Sequence, residues 1–175
     1  RVLDQNGAGN NSLYSIKELP SNGGFICAGT TDASCGTANI ALIKLNSDGT
    51  YAWKSNLGAC NGSGDSWPAR VEIASDGGFV VCGTSNSGSN GGGDVYLIKT
   101  TSSGSVSWGK RVGGSSYIDQ GFALTKSNDG GYAVAGYTKS YPTAHAGVGK
   151  NVYVVKFDSG GGLQWTRTVG GTSSS

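Results

Sequence analysis

The chain has 175 residues, of which 32 are Gly, 3 are Pro and none is Met; 14% are charged, and the formal net charge is +2. Glycine at this level without a Gly-X-Y period excludes collagen, and its alternation with short runs of Val, Ile, Leu, Phe and Tyr excludes disorder, because those runs need burial. Lys and Arg form no block able to neutralise a run of phosphates, so no nucleic-acid partner is expected, and no apolar stretch approaches the roughly 20 residues of a membrane helix, so no membrane insertion of this segment is expected.

In chain order, "LYSIKELPS" is an alternating strand that ends in the turn "NGG", and "FICAGTT" is a second strand rich in β-formers. A loop holding Cys35 leads to a third strand, "NIALIKL", a turn, "NSDG", and a fourth strand, "TYAWKSNL". The same four runs return as "PARVEIAS", "FVVCGTS", "DVYLIKT" and "SVSWGKRV", and again as "GFALTKS", "YAVAGYT", "NVYVVKF" and "LQWTRTV". Gly, Asn and Asp stand at the turns, where positive φ is wanted, and no segment has helical apolar spacing.

The spacing is regular. Gly24, Gly78 and Gly131 are 54 and 53 residues apart; Lys44, Lys99 and Lys156 are separated by 55 and 57, as are Trp53, Trp108 and Trp165. Four antiparallel strands per period of about 55 residues predict an all-β chain of three four-stranded β-propeller blades, with repeats near 3–57, 58–112 and 113–169 and a further repeat beginning at 170–175. An immunoglobulin-like sandwich would not place Trp at one offset in every fourth strand, and a β-helix needs much shorter periods. Rings of this kind hold roughly four to eight blades. The expectation is therefore an excised part of a longer array, or a ring completed by a partner copy.

Each repeated Trp follows a turn glycine by four residues, which suits packing between one blade and the next. Asn11, Asp65 and Asp119 align when counted back from the glycine pairs, and fit backbone capping of the blade connection better than calcium binding, since no alternating acidic cluster accompanies them. Lys44, Lys99 and Lys156 read as solvated strand ends. Of the four cysteines, Cys35 and Cys60 fall in loops expected on one face and are disulfide candidates. Cys27 and Cys82 fall on opposite faces of equivalent strands and are expected to approach across the first junction, bonded or not. With one His and no Cys-x-x-Cys, no metal site is expected.

The pattern "DGGYAVAGYT…NVYVVKFDSGGGLQWTRTVGG" resembles the tandem β-propeller repeats of large secreted and surface proteins, chiefly of bacteria and archaea, over essentially the whole chain. The resemblance implies an extracellular or cell-surface location and no particular activity. The Gly-x-x-x-Trp step is also similar to the tryptophan-docking motif of quinoprotein propellers, without their cofactor or metal constellation, so no cofactor is expected.

No Gly-x-Ser-x-Gly elbow or phosphate loop is present, and the single His, His145, stands in the longest loop. The reading is a non-catalytic scaffold, adhesion or binding module for protein or glycan; the alternative is a fragment of a quinoprotein-like or hydrolytic enzyme whose active groups lie in other blades. Candidate binding residues are Tyr141 and His145 in the third long loop, with Trp67, the tryptophan outside the repeat, and Tyr117 from the inter-blade connections.

Overall fold

The computed structural model describes residues 11–32, 38–57, 66–86, 92–115, 117–141 and 149–170. The described residues form twelve strands: β1 (Ser12–Glu18), β2 (Phe25–Asp32), β3 (Ala38–Leu45), β4 (Tyr51–Asn56), β5 (Ser66–Ile73), β6 (Phe79–Ser85), β7 (Asp94–Thr100), β8 (Val106–Val112), β9 (Asp119–Lys126), β10 (Tyr132–Thr138), β11 (Asn151–Phe157) and β12 (Leu163–Val169). They make three antiparallel sheets, β1-β2-β3-β4, β5-β6-β7-β8 and β9-β10-β11-β12, each a simple meander. Among the described residues there is no helix.

The sheets stack in chain order. Successive residues of the two middle strands point to opposite faces, so a strand buried on both faces reads as an unbroken apolar run; β6, "FVVCGTS", is buried along its whole length. Ile26, Ala28, Ile40 and Leu42 of the first sheet pack on Val71, Phe79, Val81 and Ile98 of the second. Val80, Cys82, Val95 and Leu97, from the opposite face of that second sheet, pack with Leu124, Tyr132, Val134 and Val155 of the third. Each Val, Leu, Ile or Phe side chain among them contributes roughly 1.5–3 kcal/mol on burial, so these two layers hold the molecule together. We call the face turned to the next sheet the front face and the other the back face. The first strands lie nearest each other, with β5 touching both β1 and β9.

The threefold lysine is not a solvated strand end. Lys99 and Lys156 are buried, and each ammonium is held by the carboxylate at the tip of the first hairpin: Lys99 Nζ to Asp76 Oδ2 at 2.7 Å, Lys156 Nζ to Asp129 Oδ2 at 2.8 Å. Each also donates to a backbone carbonyl, Thr100 O and Phe157 O, both at 3.0 Å. The pair ties the β1–β2-type turn to the end of the third strand. In the first repeat Asn22 replaces the aspartate, and Lys44 is half-exposed.

The cysteine expectation is also corrected. Cys27 and Cys82 are both buried free thiols. Cys27 lies on the back face of the first sheet with Ala41 and Ile43, whereas Cys82 lies on the front face of the second. Alternation does put them on opposite faces, but it does not say which face meets the neighbour. Here the Ala28 face meets the Val81 face, so both sheets lie between the thiols. Sheets stack about 10 Å apart, beyond the reach of a disulfide. Cys35 and Cys60 lie outside the described residues.

Candidate functional site

The three first strands share a defect that shapes the surface they form. Each carries a register shift: in β1 between Leu13 and Ser15, in β5 between Pro68 and Arg70, and in β9 opposite Ala135 and Gly136. A bulge inserts one residue, bends the strand and re-aims its side chain. The inserted residues are Tyr14, Ala69 and Phe122, and two of the three are aromatic. β5 tolerates Pro68 because it is an edge strand of its sheet.

Tyr14, Trp67, Pro68, Arg70, Thr84, Gln120, Gly121 and Phe122 line a cleft of about 360 Å³ that runs across all three first strands. The aromatic rings are on view there: Tyr14 is 49% exposed, Trp67 37% and Phe122 49%. Phe122 is steadied from behind by Tyr137, with ring centroids 5.7 Å apart, and Lys150 Nζ stands 4.2 Å from the centre of the Tyr137 ring. Arg70 and Gln120 thus line the same cleft as three exposed aromatic side chains, with Thr84 buried in its wall. This combination offers stacking surfaces to apolar faces of a ligand and hydrogen bonds to its polar edges.

Trp67 is therefore where a ligand could reach it, but its neighbours are not the ones expected. Tyr117 and Tyr141 are exposed, yet they belong to a second cluster and do not line the cleft. Ser140 Oγ donates to Tyr117 O at 3.1 Å, Tyr141 Oη donates to Gly113 O at 2.8 Å, and the Tyr141 ring packs on Tyr153 at 5.8 Å. His145 lies outside the described residues. Tyr14, Arg70, Gln120 and Phe122 escaped the sequence reading. Their one signal was the break in alternation at "LYS" and "GFA", where an aromatic residue stands beside a residue that should share its face.

At the centre of the second cluster, Asp119 is fully buried. Its Oδ1 accepts from the Thr138 hydroxyl and its Oδ2 from Gly114 N at 2.8 Å. It thereby fastens the loop after β8 to β10, which is a capping role. Its counterpart in the second sheet is Ser66, not Asp65: Asp119 is paired with Thr138 and Ser66 with Ser85, whose hydroxyls lie 2.8 Å apart. The misalignment arises because the first hairpin is one residue longer, running from Leu19 to Gly24, against Ala74 to Gly78 and Ser127 to Gly131. Counting back from the glycines by the first repeat's distance therefore overshoots in the second. Asp65 itself lies outside the described residues; Asn11 is exposed just ahead of β1.

Asp94 is the second carboxylate here, buried, with no partner for Oδ1. Burial pushes its pKa up, the Asp119 charge adds to this, and Arg111 opposes it. A Cβ on Gly113 would collide with both carboxylates, so the glycine lets the loop close over the pair. Tyr141 is likewise raised, by burial and then by the two aspartates. Among the described residues no group of three or more His, Cys, Asp or Glu could hold a metal ion.

No family model matches this chain, and no curated protein matches it. Among solved structures, a protein of unknown function from Bacteroides caccae is similar at a TM-score of 0.46 and 10% identity, over 90% of this chain and 67% of that one.

Proposed function

We propose that the three sheets are consecutive blades of a β-propeller and that the chain is a non-catalytic binding and scaffold module working outside the cell or at its surface, with the first-strand cleft as its glycan-binding surface. Three features support the blade reading: each sheet is a four-stranded meander, the front faces of the first and second sheets each pack on the back face of the next, and the first strands gather on one side. In such a ring the first strands line the axis, where a ligand is reached from several blades at once.

One observation carries the glycan reading: Tyr14, Trp67 and Phe122 are exposed together in one cleft beside Arg70, Gln120 and Thr84. Aromatic side chains left facing solvent lose hydrophobic stabilisation, and sugars present the C–H faces and hydroxyl edges that this arrangement matches. Of the two carboxylates buried by Gly113, Asp119 is committed to holding the loop, which leaves the enzymatic alternative without an accessible acid–base pair there.

The test is a glycan array followed by calorimetric titration of the best ligand. Trp67→Ala and Tyr14→Ala are each expected to abolish measurable binding while leaving the circular dichroism spectrum and the melting temperature of the protein unchanged. Binding that survives both substitutions, or an array with no ligand for the wild type, would sink the glycan reading.

A further inference from the structure

The bulge in β5 brings together two side chains that a regular strand would separate. Residues three apart on an even strand point to opposite faces. Because Ala69 is the extra residue, Trp67 pairs with Thr84 and Arg70 with Cys82, two residues apart on β6, so both share the front face that Cys82 turns to the third sheet. An indole and a guanidinium thus line the cleft from one face of β5, together with Gln120 and Phe122 of β9.

The repeat itself asks for neither residue. In the same register, Trp67 corresponds to Ser12 and Gln120 in the other two sheets, and Arg70 to Ser15 and Ala123. Two of the three sheets therefore form with a small side chain where the second carries the guanidinium. Charge then narrows the ligand. Among the described residues that line the cleft, Arg70 is the one charged side chain, and it is exposed. The acidic residues next along the two strands are engaged elsewhere: Glu72 with Lys17 Nζ at 2.8 Å, and Asp119 with the Thr138 hydroxyl and Gly114 N. A cationic ligand, which aromatic rings could otherwise cage, would meet the guanidinium. A guanidinium carries five N–H donors in a planar fork, so Arg70 can keep its interaction within the protein and still present donors to a carboxylate.

We infer that the cleft takes an acidic glycan, a chain containing uronic acid, with a sugar carboxylate on Arg70 and a C–H face of the chain on Trp67. The inference rests on the glycan reading above and narrows it to a substrate class. Stacking alone tolerates many sugars, whereas a guanidinium fork distinguishes a carboxylate from a hydroxymethyl or an ester.

Matched pairs of ligands test this by array and calorimetric titration: galacturonate, glucuronate and mannuronate oligosaccharides, each against its methyl ester, with sulfated neutral oligosaccharides as a third class. The wild type is expected to bind the acid of at least one pair about tenfold or more tightly than its ester, the size of a charge-assisted hydrogen-bonded contact. That preference should shrink as sodium chloride is raised. Arg70→Gln is expected to bring the acid-to-ester ratio close to one, and Arg70→Lys, which keeps the charge without the fork, to leave an intermediate ratio. Unchanged circular dichroism verifies both folds, and the salt titration of the wild type needs no variant. Esters bound by the wild type as tightly as acids, or an acid preference that survives Arg70→Gln, would overturn the inference and leave the glycan reading standing. A preference confined to sulfated sugars would overturn the carboxylate assignment. An array with no ligand of any class would remove the glycan reading and this inference with it.

Discussion

Trp108 lies across the second junction from Gly161 so closely that a Cβ on that glycine would stand 2.9 Å from ring carbon Cε3. Gly104 stands in the same relation to Trp53, while Gly49 faces open space; all three have positive φ, between 78° and 86°. Replacement by Ala therefore separates two effects. At Gly49 only the left-handed backbone is penalised, by about 1–2 kcal/mol. At Gly104 and Gly161 the methyl group also meets the indole, adding about 1–3 kcal/mol of overpacking. Urea unfolding midpoints are expected to fall least for Gly49→Ala. Equal losses at all three positions would mean that the tryptophans do not need the glycines.

The Lys99–Asp76 pair is asymmetric, and its two halves should not be equally costly to remove. The Lys99 side chain is 6% exposed and that of Asp76 66%. Lys99→Met leaves a carboxylate that water can solvate, so the loss is small. Asp76→Ala leaves a buried ammonium with Thr100 O as its remaining acceptor, and is expected to cost about 1–3 kcal/mol. Chemical denaturation of the two variants checks this ranking, and a larger loss for Lys99→Met would contradict it.

Strand identity, meander order and the threefold repeat were legible because they depend on local alternation and turn residues, which one period repeats three times. The stacking partner of each face was not. Cys27 and Cys82 show why: a period of two tells which residues share a face, while the hand of stacking is set by strand twist and connection, which no residue pattern in one strand expresses. The lysines were misread for a related reason. Lys99 and Asp76 are 23 residues apart, and their pairing becomes visible only once β6 and β7 are in register. The cleft needed both register and bulge, since Tyr14, Trp67 and Phe122 come from three separate first strands.

The same ion pairs set the behaviour in acid. Asp76 is held below the ordinary carboxylate range by the hydrogen bond from Lys99 first and then by Gly78 N; Asp129 is held down by Lys156, then by Ser127 and Gly131. A carboxylate with a folded pKa below its unfolded value of 3.8 contributes stability that is present above that value and lost as pH falls through the folded pKa. The melting temperature is therefore expected to drop below about pH 4. An Asp76→Asn/Asp129→Asn variant starts lower at neutral pH and loses less on acidification, so that the two curves converge in acid. Parallel curves would show that the carboxylates contribute nothing through ionisation.

Cys82 packs among Val80, Val95 and Leu97, and burial pushes its thiol up to about 12. Cys27 is raised by burial as well. Thiolate is the reactive form, so neither cysteine is expected to react with a thiol reagent in the folded protein at neutral pH, and both should react on unfolding. Peptide mapping after alkylation, without and with denaturant, reports each residue separately. A Cys27–Cys82 linked peptide from the native protein would contradict the stacking described above.

Asp94 offers the opposite case, a carboxylate the fold would be better without. Its Oδ1 has no partner, and Asp119 stands across Gly113 from it. The positions that match it in the other two sheets are Asn39 and Asn151, paired with Thr31 and Thr138 as Asp94 is with Ser85. Asp94→Asn keeps the shape, removes the buried charge and ends the repulsion from Asp119. A gain of about 0.5–2 kcal/mol at neutral pH is the expected size for such a repair. The sign follows from linkage: a carboxyl whose folded pKa is raised destabilises the fold as pH climbs from the unfolded value of 3.8 through the folded one. The advantage of Asp94→Asn should therefore be full at pH above that window and vanish below it, where the acid is protonated in both states. Urea unfolding of the two proteins across this range measures it. A loss of stability at neutral pH would instead mean that the Asp94 charge is held by Arg111 more strongly than burial and Asp119 oppose it.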